Sequence, residues 1–582
     1  MTRQTFEPTQ QQNEIIGLAG CAFIRACPGA GKTKVMAERA RHLFKTMSPG
    51  RGVAFVSFTQ AAVFELEKRL KQEGIFPSPM FPNFIGTFDS FVWLFLIAPF
   101  GITGINARPR LIADIADLPV TPFSGAHSLP LFCFHPLTHE INEYAAKLKG
   151  FDPTAKPSKQ LRAYSTAAKN TRDNLRARGL LGFDDARFVA LDRLEDATLA
   201  ARIAAALAGR FREVIVDEAQ DCNPDDLKII SWLRNAGLPV KVVCDPHQAI
   251  FEFRGGVTDH LFTFADTFEA GERKEMTGNF RSTPNICKAI SQLRPPASRG
   301  TPDNPLGPFK LETTPVHILS YAGAGVSSAI GGKFSELLSQ SAIDLSLSPV
   351  IAATKASGAA ACGQNRANGR RDRTFRFVEA VMDFHFSSEF SEMKAALDTA
   401  HEILLEFEGR LSGTSYHRYL ADNDINPTSW RPRVIAILRE LRFDPEKYSD
   451  ARAWHADAKS VLEGKLTIDD GQSISQKLRW NPAIDDILVA VPGETAMPRT
   501  IHSVKGMEFP AVCVVTTSST LKSILDFLET GQPTDKAEDA RKLYVAASRA
   551  QRLLVVAAPK SQAARLREHL SVQGAVVTIE DI

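Results

Sequence analysis

The chain of 582 residues has eight cysteines but no CxxC pair and no Cys/His cluster at metal-ligand spacing. Scattered in this way they read as reduced core thiols, and neither an iron–sulfur cluster nor a zinc site is implied. A long hydrophobic run is also missing. The longest, Phe91 to Phe100 (FVWLFLIAPF), is too short to cross a bilayer, runs into a proline and reads as a buried helix. The N-terminus, MTRQTFEPTQQQ, lacks the apolar region of a secretory signal. These absences point to the cytoplasm and to no membrane partner. Excess charge of one sign is lacking too: 69 basic residues face 66 acidic ones, a formal net charge of +3. Any polyanionic partner must therefore be recognised at local sites.

What is present is several domains' worth of globular sequence, since a single core stops growing at roughly 250–300 residues. Short aliphatic runs stand out: AFIRA (22–26), VAFVSF (53–58), EVIVD (213–217), VKVVCD (240–245), SPVIAAT (348–354), AVCVVTT (511–517) and LLVVAA (553–558). Continuous apolar runs of this length suit strands buried on both faces of a parallel sheet. Helical patterns such as TKVMAERARHLF and TQAAVFELEKRL lie between them, so the fold class is α/β, with ligands at the carboxyl ends of the strands. Two stretches interrupt the alternation. Residues from about 93 to 190 are largely helical, and those from about 360 to 490 pair a basic, glycine-containing segment (Gly363 to Arg376) with helices rich in Glu, Leu and Arg.

The first strand ends in Ala26-Cys27-Pro28-Gly29-Ala30-Gly31-Lys32-Thr33 and leads into a helix that begins Lys34-Val35. Glycines permit a loop whose N–H groups encircle phosphate oxygens, and a helix N-terminus adds a favourable dipole. In such a loop Lys32 neutralises the outer phosphates and Thr33 ligates Mg²⁺. The whole loop with Lys34 reads as ATP-binding, although Ala26 stands where the general pattern has glycine. Downstream, the apolar run Val214-Ile215-Val216 delivers Asp217 and Glu218. Asp217 is placed to hold the metal, and Glu218 to orient and deprotonate an attacking water. Paired acids after a strand are usually a solvated strand end; the phosphate loop upstream reverses that reading.

Glu218 continues as Ala219-Gln220-Asp221, and here the chain resembles the UvrD/Rep/PcrA-like helicases of superfamily 1. Their motifs recur in order: FEPTQQQNEII, SFTQAAVFELEKRL, IGTFDSF, GFDDARFVAL, VCDPHQAIFEFRGG, TGNFRSTPNI, TIHSVKGMEFPAV and RKLYVAASRA. The resemblance implies two RecA-like P-loop NTPase cores with parallel sheets, each carrying a largely helical insertion. The first core is expected at 1–92 and 191–285 with its insertion at 93–190. The second is expected at 286–360 and 490–582 with its insertion at 361–489.

The same resemblance implies roles for particular residues. One of Gln10, Gln11 and Gln12 reads adenine, with Gln12 preferred for its spacing to Ile15 and Ile16. Gln248, three residues beyond Asp245, senses the terminal phosphate or the water; Arg281 and Arg549 reach the phosphates from two directions, Arg549 as an arginine finger. Glu508 accepts a hydrogen bond from ribose. Phe251 and Phe253 beside Arg254 form a base-stacking platform, and Phe58, Thr59, Thr87, Phe280 and His502 contact the strand. Three departures stand out. Gln60-Ala61 replaces Asn-Lys, removing a cation that would touch phosphate. Asp89 occupies a position where histidine is frequent and would repel phosphate. Ser548 replaces threonine.

The implied activity is ATP-dependent, Mg²⁺-requiring, 3′-to-5′ translocation or unwinding on single-stranded or tailed DNA. A narrower resemblance is to the small UvrD-like subunits encoded beside a nuclease in antiphage systems, such as the Gabija helicase-like component. It implies the alternative of a DNA- or nucleotide-sensing ATPase that controls a nuclease partner in antiviral defence with little unwinding. A small-molecule P-loop kinase explains neither Arg549 nor the aromatic platform.

Overall fold

The computed structural model describes residues 7–582 apart from 47–49, 76–79, 113–117, 124–126, 133–139, 149–150, 251–257, 324, 364–371, 387–389, 413, 415, 424, 445 and 489–495. Its centre is two six-stranded sheets, all of whose strand pairs are parallel. The first contains β1 (Ala22–Ala26), β2 (Gly52–Ser57), β3 (Phe84–Thr87), β4 (Phe211–Val216), β5 (Val240–Cys244) and β6 (Arg273–Met276), in the order β6-β1-β5-β4-β2-β3. The second contains β7 (Val316–Tyr321), β8 (Val350–Ala352), β9 (Pro498–Thr500), β10 (Phe509–Val515), β11 (Ala550–Pro559) and β12 (Val577–Asp581), in the order β9-β8-β10-β11-β7-β12. The α/β architecture is that of two RecA-like cores.

The continuous apolar runs follow from burial on both faces. In the first sheet Phe23, Ala54, Val56, Val214, Val216 and Val242 pack into one core, while Ala22, Ile24, Val53, Phe55, Ile215 and Val243 pack into another on the opposite face. The second sheet divides in the same way, with Ile318, Val512, Val514 and Val556 on one side and Leu319, Cys513, Val515 and Val555 on the other. Alternation along each strand sends successive side chains to opposite helical layers, so apolar residues are favoured on both faces.

Edge strands were harder to read from sequence, and β3, β6, β9 and β12 carry no aliphatic run. β7 was missed as well although it lies inside the sheet. Its run is broken by His317 and Ser320, which are satisfied across the sheet: His317 Nδ1 lies 3.1 Å from Thr578 Oγ1, and the Ser320 hydroxyl donates to Asp581 at 2.5 Å.

The segment after β3 is helical over Phe88–Val92 and continues as a π-helical turn, Trp93–Ile97. Phe91, Val92, Leu96 and Ile97 are buried against the first sheet, as the sequence anticipates. That core takes in Ile102 and resumes at Leu181, so its packing includes parts of 93–190. Between them, Leu118, Phe132, Phe151 and Tyr164 gather in a small separate core against the helix Ser158–Ala177. The second interruption has a larger core of its own, running from Phe377 to Leu488 and centred on Trp430 and Trp454. Among the described residues no helix is long and apolar enough to cross a membrane.

One polar knot lies inside the first core. Arg39, 2% exposed on the helix Lys32–Thr46, donates to the carbonyls of Ile15 and Ile16 at 2.9 Å and to Leu18 at 2.7 Å. Its Nε also donates to Glu213 on β4 at 2.5 Å, and Glu213 lies 3.4 Å from the fully buried Lys241 on β5. Arg39 therefore fastens the end of the helix Gln10–Gly17 to the sheet. Removing one member leaves the others charged and buried. Arg39→Leu is expected to lower the unfolding free energy by about 3–5 kcal/mol, read from the denaturant midpoint of the full chain.

Candidate functional site

β1 ends at Ala26, and the chain turns through Cys27–Gly31 into the helix that starts at Lys32. Gly29 and Gly31 adopt φ of 71° and 75°. A Cβ on Gly29 would meet Arg281 Cβ and Asn279 Oδ1 at 2.6 Å each, so the loop tolerates only glycine there. The Phe280 N–H donates to the Gly29 carbonyl at 2.9 Å, tying the loop to the segment that enters the second core. The first N–H groups of the helix have no carbonyl partners within it and form an anion cradle.

Of the three candidate glutamines, Gln12 is the one brought to this loop. Its side-chain oxygen accepts from Thr9 N at 3.0 Å, closing a capping box, and its Nε2 donates to the Ala30 carbonyl at 3.0 Å. Gln10 reaches Glu14 and Gln11 reaches Thr277 instead.

β4 lies two strands from β1, and at its end come Asp217 and Glu218. Glu218 takes left-handed backbone angles, φ 56° and ψ 37°, which is unfavourable for a residue with a Cβ and turns its carboxylate toward the loop. Lys32 Nζ stands 3.5 Å from Glu218 Oε1, and the Gln220 amide donates to Oε2. Burial alone raises both carboxyls, but the two diverge. Glu218 is held below the ordinary carboxylate range by Lys32, with Lys505 adding to the effect, whereas burial and the Glu218 charge push Asp217 well above it. Burial disfavours charge on Lys32 as well, yet Glu218 and Asp217 outweigh it and raise its pKa.

The opposite wall is shared by the two cores. Gln248 sits in the turn Pro246–Gln248 after β5, its Nε2 donating to Asp245 Oδ2 at 2.8 Å. Arg549, at the start of β11, donates to Gln248 Oε1 at 2.6 Å, to Ser548 Oγ at 3.0 Å and to the Val545 carbonyl at 3.0 Å. Ser548 thus serves as an acceptor that steers the guanidinium. Arg281 donates to Glu508 Oε2 and to the Ser548 carbonyl, both at 2.9 Å. Lys505 donates to both oxygens of the buried Asp221, at 2.6 and 2.7 Å, and to the Gln248 carbonyl at 3.1 Å. Gln248, Arg281, Lys505, Glu508 and Arg549, with Cys27–Lys34, Asp217 and Glu218, line one cavity of about 880 Å³. An anion entering it meets cations from both cores.

The sequence reading overlooked three of these contributors. Lys505 lies in TIHSVKG, Gln220 and Asp221 in DEAQD; a lysine or an amide in a motif carries no sign of the partner it will meet across a cleft. Phe280, expected on the strand track, lines the phosphate-loop cavity, and its backbone bond to Gly29 holds it beside the loop.

The remaining strand-contact candidates are spread along the first core and its border. Thr59 and Thr87 cap helices by accepting from Ala62 N and Ser90 N, each at 3.2 Å, and Phe58 stacks on Phe88 with ring centroids 5.1 Å apart. His502 lies against the backbone of Ile250. Phe251, Phe253 and Arg254 fall outside the described residues. Asp89 is not left as bare negative charge: Arg187 pairs with it at 2.6 Å and with the buried Asp226 at 2.6 Å.

The UvrD/REP helicase N-terminal domain matches residues 8–269, and the UvrD-like helicase C-terminal domain matches residues 498–561. DNA helicase II of Haemophilus influenzae is 25% identical over 299 residues, covering 49% of this chain and 40% of its own length. The ATP-dependent DNA helicase Rep of Escherichia coli is 24% identical over 291 residues, 49% of this chain and 42% of the relative. The ATP-dependent DNA helicase PcrA of Leuconostoc citreum is 23% identical over 290 residues, 47% of this chain and 37% of the relative. The alignments therefore span less than half the length of each of these three relatives. Both halves of the cleft, the phosphate loop with its acids and the Lys505–Arg549 wall, fall within the matched segments, and the chain belongs to the UvrD/Rep-like helicase family.

Proposed function

We propose that the chain hydrolyses ATP to drive 3′-to-5′ movement along single-stranded DNA and the unwinding of tailed duplexes in the cytoplasm. The observation that carries this reading is one cavity in which Lys32 and Glu218 of the first core face Arg281, Lys505 and Arg549. A cleft built from two cores changes its charge complement when it opens or closes, as a motor requires.

Thr33 and Asp217 suit Mg²⁺, because one hydroxyl and one carboxylate leave the other positions to phosphate oxygens and water. Burial and the Glu218 charge disfavour the ionised form of Asp217, and a bound cation would favour it. When bound with the triphosphate, the ion neutralises phosphate charge. Glu218, kept ionised by Lys32 and Lys505, accepts the proton of the attacking water. Gln248, pinned by Asp245, orients that water, while Arg281 and Arg549 stabilise charge on the transferred phosphoryl group. Gln12 reads adenine, the ring of Phe280 offers a face to the base, and Glu508 accepts from ribose. Lys34 adds positive charge at the loop.

The DNA track comprises Phe58, Thr59, Thr87, His502 and the platform Phe251, Phe253 and Arg254. The regulatory alternative, an ATPase controlling a nuclease partner, draws on the cation missing at Gln60-Ala61. It draws nothing from Asp89, whose charge Arg187 compensates. Strand displacement on tailed duplexes separates the two readings.

Lys32→Ala is expected to abolish ATP turnover, since it removes the charge that stabilises the phosphates; near-normal hydrolysis by the purified variant sinks the phosphate-loop reading. Glu218→Gln is expected to bind ATP and hydrolyse it about 10²–10⁴-fold more slowly. A loss of less than about tenfold removes the general-base role. Replacing Phe251 and Phe253 together by alanine is expected to weaken single-strand binding by roughly 1–3 kcal/mol per stacked base while basal turnover survives. If both rings are core instead, thermal stability and basal turnover fall together, which melting and ATPase assays with and without oligonucleotide distinguish.

A further inference from the structure

The nucleotide cavity has a third contributor. Beyond the two cores it is lined by Lys394, Ala395 and Asp398, which belong to the helix Phe390–Glu408 of the second insertion. That helix is two-faced. Leu397, Ala400, Ile403, Leu404 and Phe407 pack into the insertion's own core, and the positions one turn apart at 394 and 398 turn to the cavity. Its location is therefore set by the insertion, while its polar face completes a site built by other parts of the chain.

Four of the cations lining the cavity are engaged by other side chains. Lys32 is paired with Glu218, Lys505 with Asp221, and Arg281 with Glu508, while Arg549 is spent on Gln248. Lys394 is exposed, has no ion pair among the described residues, and shares the cavity with Lys68 and, one turn on, Asp398. A lysine on the solvated face of a helix is ordinarily a solubilising charge. This one opens instead on the space shared by the phosphate loop, and Ala395 beside it leaves room for a ligand.

We propose that the second insertion forms a wall of the nucleotide site and that Lys394 contacts the anionic oxygens of a bound nucleoside triphosphate. The proposal rests on reading this cavity as the ATP site. It makes the insertion's position sensitive to nucleotide directly, through a side chain of its own, in addition to any coupling through the sheets.

The test is calorimetric titration of the full chain with the non-hydrolysable analogue adenylyl imidodiphosphate and Mg²⁺. Lys394→Glu is expected to raise Kd about tenfold, the order for reversing one charge near a partly solvated triphosphate. Lys394→Arg is expected to stay within about twofold of the parent, and neither variant should shift the melting temperature of the free protein. If Lys394→Glu binds within about twofold of the parent while Lys32→Ala has lost ATP turnover, the wall proposal falls and the ATP site stands. If Lys32→Ala turns ATP over normally, the site reading falls and takes the proposal with it.

Discussion

Two adjacent carboxylates, Asp217 and Glu218, end a strand buried on both faces, and the arrangement of the cleft follows from the need to keep one of them charged there. Burial disfavours ionisation of both, and two neighbouring anions disfavour it further. Lys32 alone comes from the same core. Lys505 and Arg549 come from the other, and both lower the Glu218 pKa. The charge on Glu218 is therefore supported by cations of both cores, Lys32 first.

The contacts that hold the cleft are of a kind that can be remade. Gln248 is gripped by Asp245 from its own core and by Arg549 from the other, so one amide reports on both sides. Lys505 bridges Asp221 and the Gln248 carbonyl, and the Arg541 guanidinium donates to Ala249 at 2.7 Å. Each such bond contributes on the order of 1 kcal/mol net, more where charge is involved. A handful of them is comparable with what a bound triphosphate can rearrange. Among the described residues the apolar seam includes Ile250 of the first core, which packs among the aliphatic residues of the second.

The second interruption has an apolar core of its own; a smaller one lies within the first, whose two ends pack into the core of the first sheet. The helix Phe390–Glu408 nevertheless returns to the cavity, so the second insertion is tied to the site by a polar face and not by packing. Arg178 and Asp422, 3.0 Å apart, join the two insertions through a partly exposed pair of low energetic weight.

Local order was legible in the residues themselves. The buried strands other than β7 announced themselves as unbroken aliphatic runs, because burial on both faces removes the alternation that would hide them. The phosphate loop was legible because glycine is the only residue for φ of 71° at Gly29 under the side chains of Asn279 and Arg281. The pairing of Asp217 with Glu218 was legible because both sit next to each other in sequence. The exposed edge strands were not, since half-solvated positions take polar residues as easily as loops do. Nor was anything that depends on two distant segments meeting. Arg187 neutralising Asp89, Lys505 holding Asp221, Phe280 lying beside the phosphate loop, and Lys394 opening on the cavity are set by how the cores and insertions pack. The chain encodes each of those side chains separately, and only tertiary structure decides which of them share a few ångströms, and with that which charges find a partner.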